Sequence, residues 1–174
     1  QRQRRRGHLH REARFLQRPA EFVVDVPRSE ETCDRTAGDV KGTFLKGLRH
    51  RDWSLAATGL TEDFLGRFPG PGEGAAVAID GFDAREYDGG ARPDLGRDAF
   101  LAVLRSHVDA WVSVERASWR TFEYLLHTDG TRAFFSVHFE IGGPLPEGTR
   151  ADVQASLEGE AVLQDNRWRL RRLA

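Results

Sequence analysis

The sequence predicts an α+β fold: a curved antiparallel sheet forming a cone, with helices packed on its concave face. Three observations carry this. Asp129-Gly130 and Asp165-Asn166 each lie midway between two segments of alternating apolar and polar residues, and such dipeptides tolerate the positive φ of tight hairpin turns. The alternation around both turns puts most apolar residues on one face. Ahead of them, residues 97–111 carry Phe100, Val103, Leu104, His107, Val108 and Trp111 along one helical stripe, which suits a helix covering that face.

In chain order, the first eighteen residues hold seven arginines and one glutamate. Residues 1–26 therefore read as a basic, flexible arm, and 27–174 as one domain; Phe22 to Val26 add a short strand at the boundary. A solvated tail is the plain reading of the arm, and contact with nucleic acid or an anionic membrane is the competing one. Over 32–49, Ala37, Val40, Phe44 and Leu48 recur at helical spacing, with Asp34 or Thr36 as cap. His50-Arg51-Asp52-Trp53 breaks that helix, 54–60 forms a short second one, and Thr61 before Glu62, Asp63, Phe64 and Leu65 caps a further turn. The Pro69 to Gly74 stretch ends it, 75–79 is a short strand, and 80–96, dense in Gly and Asp, is loop.

With Thr128 opposite Thr131, the first hairpin pairs Leu126 with Ala133, Tyr124 with Phe135, Phe122 with Val137, Arg120 with Phe139 and Ser118 with Ile141 on the apolar side. The other side carries Leu125 with Phe134, Glu123 with Ser136, Thr121 with His138 and Trp119 with Glu140. In the second hairpin Leu163 meets Trp168 and Ala161 meets Leu170 inside, along with Val153, Ala155 and Leu157. Glu160 meets Arg171 and Val162 meets Arg169 outside. Gly142 to Gly148 reads as the loop between the hairpins.

Composition excludes several classes. A formal charge of −1 argues against a general nucleic-acid surface, and no stretch reaches the roughly 20 apolar residues of a membrane span. The composition is that of a soluble chain; no signal-peptide pattern appears at its start, and no compartment is indicated. Cys33 is the single cysteine, which excludes an intrachain disulfide and a Cys-rich metal cluster. As a thiol near a helix start it is either reactive or a small filler. The absence of methionine reads as a piece of a longer polypeptide, and arginine replaces lysine at all but Lys41 and Lys46. Gly70 to Gly74 lacks the Gly-Lys-Ser/Thr of a phosphate loop, and neither Gly-x-Ser-x-Gly nor His-Glu-x-x-His occurs.

The helix ending in Leu48-Arg49-His50-Arg51-Asp52-Trp53, the following Leu60-Thr61-Glu62-Asp63-Phe64, the helix from Gly96 and the terminal Asn166-Arg167-Trp168-Arg169-Leu170 resemble the nuclear-transport-factor-2-like superfamily. That superfamily includes SnoaL-like polyketide cyclases, ketosteroid isomerases and scytalone dehydratase. The likeness covers about 32–174 and concerns fold rather than chemistry. It implies a cone whose concave face meets the helices and often leaves a ligand cavity. It also implies an outer sheet face that often packs on a second copy, and members that serve as accessory domains.

Register then nominates residues. Arg120, Tyr124, Phe122 and Phe139 share the apolar side. A guanidinium there either holds a carboxylate-like anion or snorkels to solvent. Tyr124 either donates to a ligand oxygen or keeps a satisfied hydroxyl in the core. His107 is a general acid or base in the cone, with Asp109 or Glu115 to orient it, or a core histidine bonded to a backbone carbonyl. His138, Glu140, Glu123, Thr121 and Gln154 fall on the polar face, read as solvated or as a subunit contact rather than a metal site. Trp119 and Phe134 among them suggest a homodimer. No metal and no cofactor is expected, no specific nucleic acid, and no membrane span. The leading expectation is a binding or interaction domain for a small hydrophobic or acidic ligand, with Arg120, Tyr124, His107, Phe122 and Phe139 around an apolar cavity and no catalysis of its own. The alternative is a cofactor-independent isomerase, dehydratase or cyclase in the same cavity, with His107 and Tyr124 catalytic and Arg120 positioning an acidic substrate.

Overall fold

Thr36, Val40, Phe44 and Leu48 recur every fourth residue, and all four are buried. In an α-helix, steps of four drift around the axis by about 40° each. The chain absorbs that drift with a wider π turn. The computed structural model describes residues 26–79, 82–87 and 93–174. In it α1 (Val26–Val40) runs through a π turn (Lys41–Leu45) into α2 (Lys46–His50). The helix thus starts at Val26, not Thr32, with Pro27 in its first turn where a missing N–H is harmless. Asp34 and Thr36 are interior residues, not caps. The basic arm, and the strand expected over Phe22 to Val26 apart from Val26 itself, lie outside the described residues.

Arg51 ends α2 in the left-handed conformation at φ 56°. Its guanidinium crosses to the carbonyls of Val108, Trp111 and Val112. Asp52 then accepts from Leu55 N at 2.9 Å and starts α3 (Trp53–Thr58). Gly47 is needed at this corner, because a Cβ there would overlap the backbone of Ala56.

Beyond α3 the chain departs from expectation. Residues read as a capped turn form strand β1 (Leu60–Gly66). It pairs in parallel with the last strand and antiparallel with the two-residue β4 (Leu95–Gly96). Between them, β2 (Ala75–Ile79) and β3 (Phe82–Glu86) form a separate hairpin where loop was expected after Ile79. Ile79 pairs with Phe82, and Asp80-Gly81 between the two runs is the same turn dipeptide that marked the first terminal hairpin.

α4 (Arg97–Val108) stops three residues short of Trp111, and Phe100, Leu104 and Val108 are fully buried. The four long strands follow: β5 (Arg116–Leu126), β6 (Arg132–Pro144), β7 (Arg150–Gln164) and β8 (Arg167–Leu173). Gly142 to Pro144, expected as loop, continue β6. The six-stranded sheet has the order β4-β1-β8-β7-β6-β5 and is antiparallel except at β1–β8. No helix of the described residues is long and apolar enough to cross a membrane.

Both hairpins keep the expected register next to their turns. Asp165 and Asn166 sit at φ 50° and 62° and Gly130 at 71°. Leu126 pairs with Ala133, Tyr124 with Phe135, Leu163 with Trp168 and Ala161 with Leu170. Farther out, each hairpin has a bulge. Phe122 has no partner between Thr121–Val137 and Glu123–Ser136, and beyond it the pairs become Arg120–His138, Trp119–Phe139 and Ser118–Glu140. One extra residue in one strand exchanges the two faces for the rest of that strand. Trp119, expected outside, is therefore buried in the cone at 7% exposure, while Phe122, expected inside, is 61% exposed. In β8, Arg171 is the extra residue, and Glu160 pairs with Arg172 instead.

Candidate functional site

Aromatic side chains fill the depth of the cone. Phe139 is 1% exposed, with ring centroids 6.2 Å from Phe44, 5.7 Å from Phe68 and 6.5 Å from Trp119. Phe100 stands 4.9 Å from Phe64 and 6.4 Å from Phe44, and Trp119 stands 5.5 Å from Phe135. Phe139 points inward as its alternation requires. It packs there as core and faces no open space.

The other nominated residues are dispersed. Arg120 is exposed on the outer face opposite His138, because the bulge at Phe122 turned it round. Phe122 shares that face, its ring 6.4 Å from that of His138. Tyr124 does face inward, but against α1, where its hydroxyl lies 3.0 Å from Thr36 Oγ1. Thr36 uses its one proton on Thr32 O at 2.8 Å, so the Tyr124 hydroxyl is the donor of the pair. Burial pushes the Tyr124 phenol up to about 12. Cys33, also on α1, has its thiol pushed up by burial and by Asp34, the reverse of what a reactive thiolate needs.

His107 occupies a different region. Its Nε2 lies 2.7 Å from Pro69 O, and its ring meets the edge of Phe68 at 5.8 Å and tilts against Trp111 at 6.5 Å. It borders an open cleft whose walls are residues 69–73, the β2–β3 hairpin through Val77, Arg85 and Tyr87, and the inner row of β7. At about 1800 Å³ the cleft exceeds the roughly 300–1,000 Å³ of a fitted small-molecule pocket. The excess arises because it runs from the cone mouth over β7 to outer residues such as Phe134 and Glu158. Neither Tyr124 nor Arg120 borders it.

Inside the mouth, Ala151, Val153 and Ala155 are half-buried, whereas their β6 partners Gly143, Ile141 and Phe139 are buried. At the rim, Asp94 accepts from Arg67 Nε at 2.6 Å and from Arg172 at 3.4 Å. Val77, Tyr87, Pro69 and the β7 row were absent from the sequence-based nominations. The signal for the hairpin was present in Asp80-Gly81, whereas Pro69 reaches His107 only through the fold.

The outer face is polar around His138 and Glu140. Glu140 accepts from Arg116 at 2.6 Å and from Gln154 at 3.2 Å, and Arg116 holds its carboxyl below the usual range. Among the described residues no group of three or more His, Cys, Asp or Glu is placed to hold a metal ion.

No protein-family model matches the sequence, and comparison with curated proteins gives no match either. Solved structures do match. A conserved protein from Planctomyces limnophilus superposes with a TM-score of 0.57 at 18% identity, over 83% of this chain and 94% of that one. A protein from Kribbella flavida gives 0.53 at 17% identity, over 83% and 89%. A scytalone-dehydratase-like protein from Novosphingobium aromaticivorans gives 0.51 at 15% identity, over 83% and 80%. At these identities the likeness concerns the fold. The chain has the nuclear-transport-factor-2-like fold.

Proposed function

We propose that this domain is a binding module without catalysis of its own, taking a small, mainly apolar molecule at the mouth of the cone. The observation that carries the reading is the contrast along the inner wall. The depth is packed with Phe44, Phe100, Phe139 and Trp119, while the β7 row Ala151, Val153 and Ala155 at the mouth is half-buried, within a cleft that His107 and Trp111 also line. Apolar surface left open in a concavity favours an apolar guest. His107, Tyr124 and Arg120 lie on three different parts of the fold, so the isomerase, dehydratase or cyclase reading lacks the constellation it was drawn from.

The outer sheet face supports a second part of the same proposal, a homodimer. Phe122 stands exposed in the middle of a polar face, with Phe134 on that face too, and an exposed aromatic ringed by polar groups is a frequent anchor between subunits.

The mouth is tested by titrating the protein with Nile red, a neutral, environment-sensitive dye. Saturable binding is expected, and Ala155→Trp, which fills the mouth, should weaken it about tenfold or more, ~1.4 kcal/mol, with the melting temperature little changed. Non-saturable binding, or binding indifferent to Ala155→Trp, overturns the reading.

A further inference from the structure

His107 has one ring nitrogen whose role is fixed by its neighbour and one that is not used inside the fold. Nε2 lies 2.7 Å from Pro69 O. A carbonyl oxygen only accepts, so Nε2 carries a proton, and in the neutral imidazole Nδ1 is then an acceptor. Nδ1 makes no hydrogen bond to any described residue, and it is not among the buried side-chain atoms that lack a partner. It is therefore reached by solvent, on a side chain that borders the cleft.

The surroundings define what such an acceptor will take. Trp111, Leu145, Val153 and Leu157 give the same cleft an apolar lining. Arg120, which was to hold an acidic ligand, is on the outer face, and the rim arginines Arg67 and Arg172 already share Asp94. Arg85, the other arginine among the described residues of the wall, donates to Gly74 O at 3.3 Å. The bordering carboxylates Glu73, Glu86, Asp152, Glu158 and Glu160 outnumber the three arginines, so the net charge opposes entry of an anion.

We infer that His107 Nδ1 is the polar anchor of the mouth, and that the site selects a neutral apolar molecule carrying a hydroxyl or N–H donor over a carboxylate. This rests on the mouth being a ligand site, as proposed above. On the neutral ring a donor placed on Nδ1 completes the histidine's hydrogen bonding, with Nε2 still held by Pro69, whereas a carboxylate there meets a lone pair.

Three probes of one shape separate the possibilities in calorimetric titrations: para-propylphenol, its methyl ether para-propylanisole, and para-propylbenzoate. The phenol should bind about three- to tenfold tighter than the ether, the range of one net hydrogen bond, and the benzoate most weakly. Nitrogen NMR of the unaltered protein should show the Nδ1 signal of His107 moving with the phenol and not with the ether. His107→Phe should bring the phenol-to-ether ratio to about one, with the NMR result deciding if that variant does not fold. Equal binding of all three probes, or an Nδ1 signal unmoved by the phenol, overturns the role of His107 while leaving the mouth as a binding site. If no probe binds and Nile red does not saturate, both proposals fall.

Discussion

Tyr124 shows how local valence constrains a side chain more tightly than its position does. The residue points into the cone, yet its proton is committed to Thr36, whose own proton is committed to Thr32. Tyr124→Phe should therefore cost about 0.5–1.5 kcal/mol in urea unfolding and leave dye binding at the mouth unchanged. Because the folded value is raised from 10.0 to about 12, the stabilisation is complete below pH about 10 and disappears as pH rises through about 12. Phenolate absorbance should accordingly show one of the two tyrosines titrating near 12.

Asp129 gives the opposite sign. Burial pushes its carboxyl up, but hydrogen bonds from Thr131 N and Oγ1, with His127 and Arg132 nearby, outweigh this and hold it at about 2 instead of 3.8. Its contribution is present above pH about 4 and lost as pH falls toward 2. Since the side chain is 40% exposed, solvent screening keeps the effect within about 1 kcal/mol. Asp129→Asn should flatten the acid limb of the stability curve between those limits, as read by urea midpoints at stepped pH.

At the scale of the element, bulges decide which side chains are core. Without the extra residue at Phe122, Arg120 would face Phe139 and Trp119 would face solvent. With it, Trp119 packs on Phe135 and Phe139, and Phe122 is expelled. Trp119→Ala should then cost about 3–5 kcal/mol, the range for emptying an aromatic core site. Phe122→Ala should stay within about 0.5 kcal/mol for the monomer. Chemical denaturation of the two variants checks the inversion directly, and the reverse order would mean that the straight register is the true one. The π turn of the first helix has the same character. Spacing of four kept Val40, Phe44 and Leu48 legible as one face, and the extra width that aligns them was not legible, because it answers to the sheet they pack on.

For the whole molecule, the two proposals rest on two surfaces of the described residues, the cone mouth and the outer sheet. The dimer proposal belongs to this scale. Phe122→Glu, placed where Phe122 is 61% exposed, should shift sedimentation from dimer to monomer without lowering the melting temperature of the monomer by more than about 4 °C, the equivalent of roughly 1 kcal/mol. A protein that sediments as a monomer before substitution would remove the outer face from consideration.

Local alternation and turn chemistry made the fold class, both terminal hairpins and the α4 stripe readable, because each depends on neighbours a few residues apart. β1 was not readable, since its pairing with β8 joins residues about a hundred positions apart and its Thr-Glu-Asp start also suits a helix cap. The candidate site was readable only in part. His107 was visible as an oddity on an apolar stripe, but its Pro69 partner and the open β7 row were not. By itself the sequence determined which residues alternate and where the chain turns. Which face each residue occupies past Phe122, and which polar atoms remain unsatisfied at the cone mouth, was decided only by the tertiary structure. A single unpaired residue reverses a strand's faces, and hydrogen-bond valence is settled by partners that the fold, not the chain, brings near.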